Sequence, residues 1–404
     1  MKPMLGWAML SRQEMGQVER SLANGEQDTR DEIGFLLIHQ GFADRFFPGT
    51  SVLHTRIRYA LFVPWIYDGL AQTRRRGRDL ESTVREQLLT LARRLKTLGQ
   101  EKTGVIGGDV VQYNRLSSQP PDRVYWTALK AWNILLPQID SSSDALRRIE
   151  ARMNCAPQDD DGGQLDDSDS TEVFAGLVQP PAQWADPDTP LNFEMNAKER
   201  TFLRDKLTKV RRADGEVSLL ARLVSANATF AIESDLALPV GLNEYADETD
   251  RAVLKVARDA AHLAAIGRMV YGALVEKLRD LEGVSKERTF RDRLVEGFAA
   301  HGGAAERCDL NVVERFVPKM PETVRDVLRQ TQEFVRAGAP AAFFKLRSCY
   351  RDAEEERKTA RRARLGESAH AKDRRQEWQP DRHKTPPLHY RWGIVHDVLE
   401  DLQG

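Results

Sequence analysis

Residues 250–281 read DRAVLKVARDAAHLAAIGRMVYGALVEKLRDL, and this stretch decides the fold. The pattern predicts one continuous helix on the order of 45 Å long, at about 1.5 Å per residue. Its middle is rich in alanine, which allows a neighbouring helix to approach closely, at Ala257, Ala260, Ala261, Ala264 and Ala265. We therefore expect this helix to be the buried spine of the C-terminal half.

The rest of the chain also shows helical patterns, whereas β-branched runs and Asn-Gly turns are scarce. Further helices are predicted over about Ser11–Ala23, Asp31–Phe47, Asp79–Leu98, Asp122–Leu136, Ala341–Leu365 and Ile394–Leu402, and after Asn196 as a helix cap. Another is expected from Thr50 or Ser51, with Pro64 as its end or kink. The predicted fold is mainly α and multi-helical.

A chain of 404 residues is too long for one core of ordinary size, so two packed units are expected. The stretch Pro157–Ser170 holds six aspartates and no basic residue, which predicts a flexible acidic linker. Prolines at 180, 181 and 187 extend this loop. The predicted organisation is an N-terminal helical domain (1–150), a linker (151–190) and a C-terminal helical domain (191–404).

Composition excludes several classes of protein. Sixty basic and sixty-one acidic side chains leave a net charge of −1, so no overall field draws the protein toward nucleic acid or membrane. The three cysteines lack the Cys-x-x-Cys spacing of a metal site. The start of the chain lacks the apolar core of a signal peptide, and the apolar run Tyr59–Tyr67 is too short to span a bilayer. We expect a soluble, cytoplasmic protein with reduced thiols.

No motif for catalysis or cofactor binding stands out. The glycines of Gly104–Asp109 suggest a phosphate loop, but no Gly-Lys-Ser/Thr follows, so a plain loop is favoured. The closest histidines, His383, His389 and His396, do not lie on one helix, and no metal or other cofactor is predicted. The sequence favours a non-catalytic protein, although distant residues can assemble an active site.

The aromatic residues of 122–136 share one face of their predicted helix, at Tyr125, Trp126 and Trp132. A stripe of this kind belongs to a core far more often than to a base-stacking platform.

Two charged clusters stand close in sequence, Asp28–Glu32 and Thr55–Tyr59. Acids and arginines on adjacent helices form bidentate pairs, so one interpretation pairs these acids with Arg56 and Arg58. The other is an anion site, in which the amides after Pro48-Gly49 lie at a helix N-terminus beside the same arginines.

Two basic stretches match what the neutralisation of a phosphate backbone requires. Residues 56–102 carry eleven Lys or Arg against five acids, and residues 357–375 carry eight against two. The predicted nucleic-acid-binding residues are Arg56, Arg58, Arg74, Arg75, Arg76, Arg78, Arg93, Arg94, Lys358, Arg361 and Arg362. The alternative is a solvated helix face with internal ion pairs, such as Glu354 with Lys358 at i,i+4.

The N-terminal block resembles an uncharacterised family of bacterial proteins. The matching residues are Gly6-Trp7, Asp31-Glu32-Ile33-Gly34, Phe47-Pro48-Gly49-Thr50-Ser51, Thr55-Arg56-Ile57-Arg58-Tyr59 and Val63-Pro64-Trp65, with single weaker matches at Gly104–Gly107, Tyr125-Trp126 and Tyr390-Arg391-Trp392. That family is associated with anti-phage defence loci, beside helicases and phospholipase-D-like nucleases. The resemblance implies a role in handling foreign DNA within a multi-protein system, and it implies no catalytic residue.

Three functional hypotheses follow from the sequence. The first is a non-catalytic DNA-binding or adaptor subunit of an anti-phage defence system, whose partners include a helicase and a phospholipase-D-like nuclease. The second is a scaffold that contacts only proteins. The third is an enzyme without a recognised motif, such as a nuclease.

Overall fold

A computed structural model describes residues 31–72, 79–97, 104–154, 172–230, 238–317, 319–380 and 385–403. Within these ranges the chain forms fifteen α-helices and three short 3-10 helices. The extended pairings in the same ranges are two isolated bridges, between Leu135 and Phe174 and between Arg211 and Val217. The predicted mainly α fold is confirmed. The predicted helix at Ser11–Ala23 and the acidic stretch Pro157–Ser170 lie outside the described residues.

The α-helices are α1 (Leu36–Phe46), α2 (Tyr59–Gln72), α3 (Leu80–Lys96), α4 (Pro121–Ala131), α5 (Ser142–Asn154), α6 (Ala197–Leu207), α7 (Leu219–Ser225), α8 (Leu242–Tyr245), α9 (Glu248–Leu281), α10 (Thr289–Arg307), α11 (Leu310–Phe316), α12 (Glu322–Arg336), α13 (Arg347–Lys358), α14 (Ala369–Gln376) and α15 (Trp392–Gln403).

The chain divides into two compact units, each made of two separate segments. The first combines Met1–Ala43 with Ile232–Trp392, and the second combines Asp44–Ala231 with Gly393–Gly404. This division differs from the predicted boundaries at 150 and 190.

The difference arises because the described part of the predicted linker is built into the second unit. The backbone amide of residue 136 donates to the carbonyl of Val173 at 3.0 Å, and Ala175 donates to Ile134 at 2.8 Å. Leu191 donates in the same way to the carbonyl of Arg94 at 3.2 Å. Residues 172–191 therefore pack onto the helices that precede them.

The long helix predicted over residues 250–281 is present as α9. Asp247 caps it by accepting a hydrogen bond from the Asp250 amide at 2.7 Å. The five central alanines of α9 are at most 1% exposed, so the helix predicted as the buried spine of the C-terminal half is buried within the first unit. Helix α10 packs against it where Gly272 leaves room for the Phe290 ring. The carboxylate of Glu276 accepts from the amides of Phe290 and Arg291, at 2.8 and 3.0 Å, and so satisfies the start of α10.

The acids that follow residue 30 are buried in the first unit, but not against Arg56 and Arg58. Asp31 pairs with Arg357 at 3.0 Å and also accepts from the Gly34 amide at 2.8 Å. Glu32 pairs with Lys358 and, at 2.8 Å, with Arg364. The prediction of acid–arginine pairs was right in kind and wrong in its choice of partners.

A third buried acid completes this group. Glu354 is fully buried and accepts from the Tyr271 hydroxyl at 2.6 Å and from the Leu365 amide at 2.9 Å. The oxygen that accepts from Tyr271 also lies 3.3 Å from the Lys358 ammonium, so the pair suggested by i,i+4 spacing is present. We call Asp31, Glu32, Glu354, Arg357, Lys358 and Arg364 the charge network.

In the second unit, the helix expected from Thr50 does not start there. Thr50 donates from its amide to the Phe47 carbonyl at 3.1 Å, and Gly49 has a φ of +80°, so this segment is a turn. The Trp132 indole donates to the Pro48 carbonyl at 3.0 Å. The anion site hypothesised after Gly49 is wrong, because no helix begins at that glycine.

The helix that follows is α2, and Pro64 lies inside it rather than at its end. The first half of α2 is apolar and buried on all sides. Because this packing stabilises the helix, it continues through Pro64 although proline removes one backbone hydrogen bond. The stretch predicted as one helix over 341–365 is also different, since a 3-10 helix at Pro340–Leu346 precedes α13.

Other predictions for the second unit are confirmed. The helix predicted over Asp79–Leu98 is present as α3, and Asp79 caps it by accepting from the amides of Glu81 and Ser82, both at 3.2 Å. The predicted cap Asn196 forms a capping box with Glu199. The aromatic stripe of α4 is core, with Tyr125 1% and the following Trp132 0% exposed.

Among the described residues, none of the helices is both long and apolar enough to cross a bilayer. Cys308 and Cys349 are buried free thiols, and burial raises the pKa of Cys308 to about 12 and that of Cys349 to about 11. Cys155 lies outside the described residues.

Two helical glycines give a test of the α9–α10 packing. A Cβ at Gly272 would lie 2.2 Å from Cδ1 of Phe290, whereas at Gly303 the nearest group is the flexible end of Arg307 at 3.6 Å. Gly272→Ala should lower the free energy of unfolding by about 1–3 kcal/mol through overpacking. Gly303→Ala should raise it by about 0.5–1 kcal/mol, because alanine favours the helix. Urea unfolding followed by circular dichroism measures both, and equal effects would contradict this packing.

Candidate functional site

The predicted nucleic-acid-binding residues fall into four groups. Arg74, Arg75, Arg76 and Arg78 lie outside the described residues. Arg58 and Arg94 are buried, and Arg56 and Lys358 are held in ion pairs. Arg93, Arg361 and Arg362 are exposed.

Arg58 and Arg94 serve the fold of the second unit. The Arg58 guanidinium is 2.8 Å from the fully buried Glu199 carboxylate and donates to the Asn192 carbonyl at 2.9 Å. Arg94 donates to the carbonyls of Thr189 and Trp184, at 2.7 and 3.2 Å. Guanidinium groups used in this way have no surface to offer to a phosphate, so we remove both from the predicted set.

Arg56 lies at the edge of a groove in the second unit. Its Nε donates to Oδ2 of Asp401 at 3.0 Å, a second guanidinium nitrogen contacts the other carboxylate oxygen, and the Ile57 amide donates to the same Oδ2 at 3.0 Å. Asp401 is on α15, so a bidentate ion pair fixes the last helix against residues Thr55–Tyr59. We call the N-terminal residues that match the family, including Asp31–Gly34, Phe47–Ser51 and Thr55–Tyr59, the signature.

The groove has a volume of about 770 Å³. One wall comes from the signature, where the Thr55 hydroxyl donates to the Gly104 carbonyl at 2.7 Å, which joins the two motifs. The Tyr125 hydroxyl braces this wall, donating to the Arg56 carbonyl at 2.8 Å and accepting from the Thr55 amide at 3.1 Å. The lining residues are His54, Thr55, Arg56, Gly104, Phe193, Glu194, Met195, Arg200, Asp397, Glu400 and Asp401.

The opposite wall is acidic. Ligand atoms of His396, Asp397 and Glu400 all lie within 4.8 Å of one another, a spacing that one divalent cation could bridge. Partial burial and the neighbouring Asp401 raise the pKa of the Asp397 carboxyl. Sequence reasoning missed this group because it compared histidines with one another. The signal was His396-Asp397 followed by an acid one helical turn later.

A second cavity, of about 450 Å³, lies in the first unit and is lined by Arg361, Arg362, His370, Asp373, Arg374 and Glu377. Arg374 is 2.9 Å from Glu377, while Arg361 and Arg362 make no ion pair within the described ranges. The structure therefore brings two predicted residues together with His370 and Arg374, which the sequence did not single out. We call this the arginine cavity.

Buried contacts fix the backbone of the arginine cavity. The fully buried side chain of Arg375 donates to the Gly366 carbonyl at 2.9 Å. It also pairs with Glu282, the residue that follows α9, and its Nε lies 2.9 Å from that carboxylate. The Arg364 amide donates to Glu354 of the charge network at 2.9 Å. The chain between α13 and α14 is thus anchored immediately after the exposed arginines.

The fold and these cavities define a mainly helical protein with two compact units, each of which carries a charged concave surface. The chain belongs to DUF6361, a family of unknown function, whose model matches residues 20–288. No curated protein and no solved structure matches it.

The acidic wall of the groove yields a prediction about proton affinity. Asp401→Asn removes a negative neighbour of Asp397 and releases Arg56, so the pKa of Asp397 should fall. Glu400→Gln removes an equal charge without touching Arg56, and its effect should be in the same direction but smaller. Carboxyl chemical shifts followed against pH by NMR measure both. A rise of the Asp397 pKa in Asp401→Asn would contradict the assigned geometry.

Proposed function

We propose that this protein is a non-catalytic DNA-binding or adaptor subunit of a multi-protein anti-phage defence system in the bacterial cytoplasm. A helicase and a phospholipase-D-like nuclease are the proposed partners and would perform the chemistry. The association with defence rests on the resemblance of the N-terminal signature. The binding of DNA rests on one observation, the convergence of exposed arginines in the arginine cavity.

The physical argument concerns phosphate charge. Each phosphate neutralised by an arginine releases condensed counterions, which favours binding and makes it depend on salt. Arg361, Arg362 and Arg374 line one cavity, and a planar guanidinium offers several donors to a phosphate. A net charge of −1 leaves the whole chain without a basic field, so attraction to DNA has to be local.

The preorganised backbone adds to this argument. Arg375 and Glu354 hold the segment between α13 and α14 from inside the fold. Arginines displayed on a fixed segment lose less conformational freedom on binding than arginines on a free one. Lys358 belongs to the charge network and is replaced by His370 and Arg374 in the proposed contact set.

The double variant Arg361→Ala/Arg362→Ala should bind a DNA duplex at least about tenfold more weakly at low salt, since it loses two phosphate contacts. The slope of log affinity against log salt should fall by about 1.8, at about 0.9 per contact. Fluorescence anisotropy with a labelled duplex, titrated at several salt concentrations, measures both quantities.

The matched control is Arg329→Ala/Arg336→Ala, which removes the same charge from exposed positions on α12. It should leave affinity and slope nearly unchanged. An equal loss of duplex affinity in the two double variants would show only nonspecific attraction between positive charge and DNA, and would contradict a contact at the arginine cavity. No binding at low salt by the unsubstituted protein, together with co-purification of a helicase or nuclease, would favour a scaffold that contacts only proteins.

A second candidate function, a metal-dependent nuclease, is favoured by the grouping of the buried His396 with Asp397 and Glu400 of the groove wall. Two-carboxylate sites of this kind hold cations that activate water for hydrolysis. The purified chain should then cleave DNA with Mg²⁺ or Mn²⁺ and lose this activity in Asp397→Asn/Glu400→Gln. Arg361→Ala/Arg362→Ala, which leaves the groove intact, is the control for reduced binding. Absence of cleavage under all metal conditions would exclude this candidate.

A further inference from the structure

One aromatic ring of the second unit faces solvent. Tyr113 is 69% exposed and makes no ring contact within the described part of the chain, whereas Tyr59 and Tyr125 are at most 1% exposed. A large apolar ring left in water forfeits the free energy that its burial would provide.

The turn that displays this ring is well fixed. Tyr113 ends the 3-10 helix Val111–Tyr113, whose first residue is 5% exposed and anchors the turn in the core. The Val111 amide donates to the Gly107 carbonyl at 3.0 Å, and Asn114 follows in a left-handed conformation with φ of 56°. The exposed position of the ring is therefore set by the backbone around it.

Basic side chains from α3 hold the same turn. Arg93 donates to the side-chain oxygen of Asn114, and the Lys96 ammonium donates to the Gly108 carbonyl at 3.1 Å. A cavity of about 480 Å³ opens between them, lined by Arg93, Lys96, Thr97, Val111, Gln112 and Asn114. An exposed ring thus adjoins a basic cavity large enough for a phosphate and its sugar.

In residues 104–115 and the lining of the adjacent cavity, three basic side chains (Arg93, Lys96 and Arg115) stand against one acidic side chain. Arg115, two residues beyond Tyr113, is exposed and makes no ion pair within the described ranges. Asp109 is the single acid in residues 104–115, and its carbonyl, rather than its carboxylate, accepts from Gln112 at 3.2 Å.

We propose that Tyr113 stacks on an unpaired base while Arg93, Lys96 and Arg115 contact the flanking phosphates, so that this surface binds single-stranded nucleic acid. Stacking needs a free base face, which a duplex hides between neighbouring base pairs. The proposal rests on the proposed function for its class of ligand, and it uses residues outside the arginine cavity. A flat ring with a positively charged rim matches a strand that alternates bases and phosphates.

The experiment measures the affinity of the full-length protein for a labelled 20-nucleotide oligo(dT), for a duplex of the same length and for an abasic strand. Tyr113→Ala should weaken oligo(dT) binding by about tenfold, as loss of one base–aromatic stack does. Its effect on the duplex and on the abasic strand should be below twofold. Because the ring is exposed, the melting temperature should not change.

Two further variants separate stacking from other roles. Tyr113→Phe keeps an aromatic face and should bind oligo(dT) like the unsubstituted protein, whereas Tyr113→Leu keeps only apolar bulk and should resemble Tyr113→Ala. Equal binding by the leucine and phenylalanine variants would overturn stacking and indicate an apolar docking point for a protein.

The outcomes also separate this proposal from the proposed function. Unchanged oligo(dT) binding in Tyr113→Ala, with duplex binding still lost in Arg361→Ala/Arg362→Ala, would overturn the stacking surface alone. If Arg361→Ala/Arg362→Ala left duplex binding unchanged while Tyr113→Ala weakened oligo(dT) binding tenfold, the arginine cavity alone would be overturned. Absence of binding to every nucleic acid would overturn both.

Discussion

The burial of charged groups in matched sets is the constraint on which this structure depends. A carboxylate as enclosed as Glu354 must have its charge compensated, and here a tyrosine hydroxyl, two backbone amides and an ammonium do so. Glu199 and Arg58 meet the same requirement in the second unit. Removing one member of such a set strands the other, which costs about 3–5 kcal/mol, so these residues specify their neighbours.

This requirement links the acids of the signature to the arginine cavity, although the signature does not line that cavity. Asp31 and Glu32 are signature residues, and they orient the end of α13 through Arg357, Lys358 and Arg364. The exposed pair Arg361 and Arg362 lies between those cations. An acidic motif remote in sequence thus helps to define where positive charge reaches the solvent.

Local signals predicted the local structure well. Helical spacing located α9 and α3, Asn196 marked a helix start as a cap, and the aromatic face of α4 was recognised as core. The choice of partners could not be predicted, since Arg56 and Asp401 lie 345 residues apart and Arg58 meets an acid 141 residues away. The sequence alone does not distinguish an arginine that is bonded inside the fold, as Arg94 is, from one that faces solvent. For the same reason the sequence did not reveal the cavities, and it did not single out Tyr113.

The discontinuous second unit has a consequence for the order in which the protein is made. Residues 44–231 leave the ribosome before residues 232–392, and only then do residues 393–404 follow. The groove wall formed by residues 54–56 is therefore synthesised long before the acidic wall on α15, because residues 232–392 are made between them. Closing so long a loop slows folding. The ion pair of Arg56 with Asp401 can therefore form only after residues 232–392 have been synthesised.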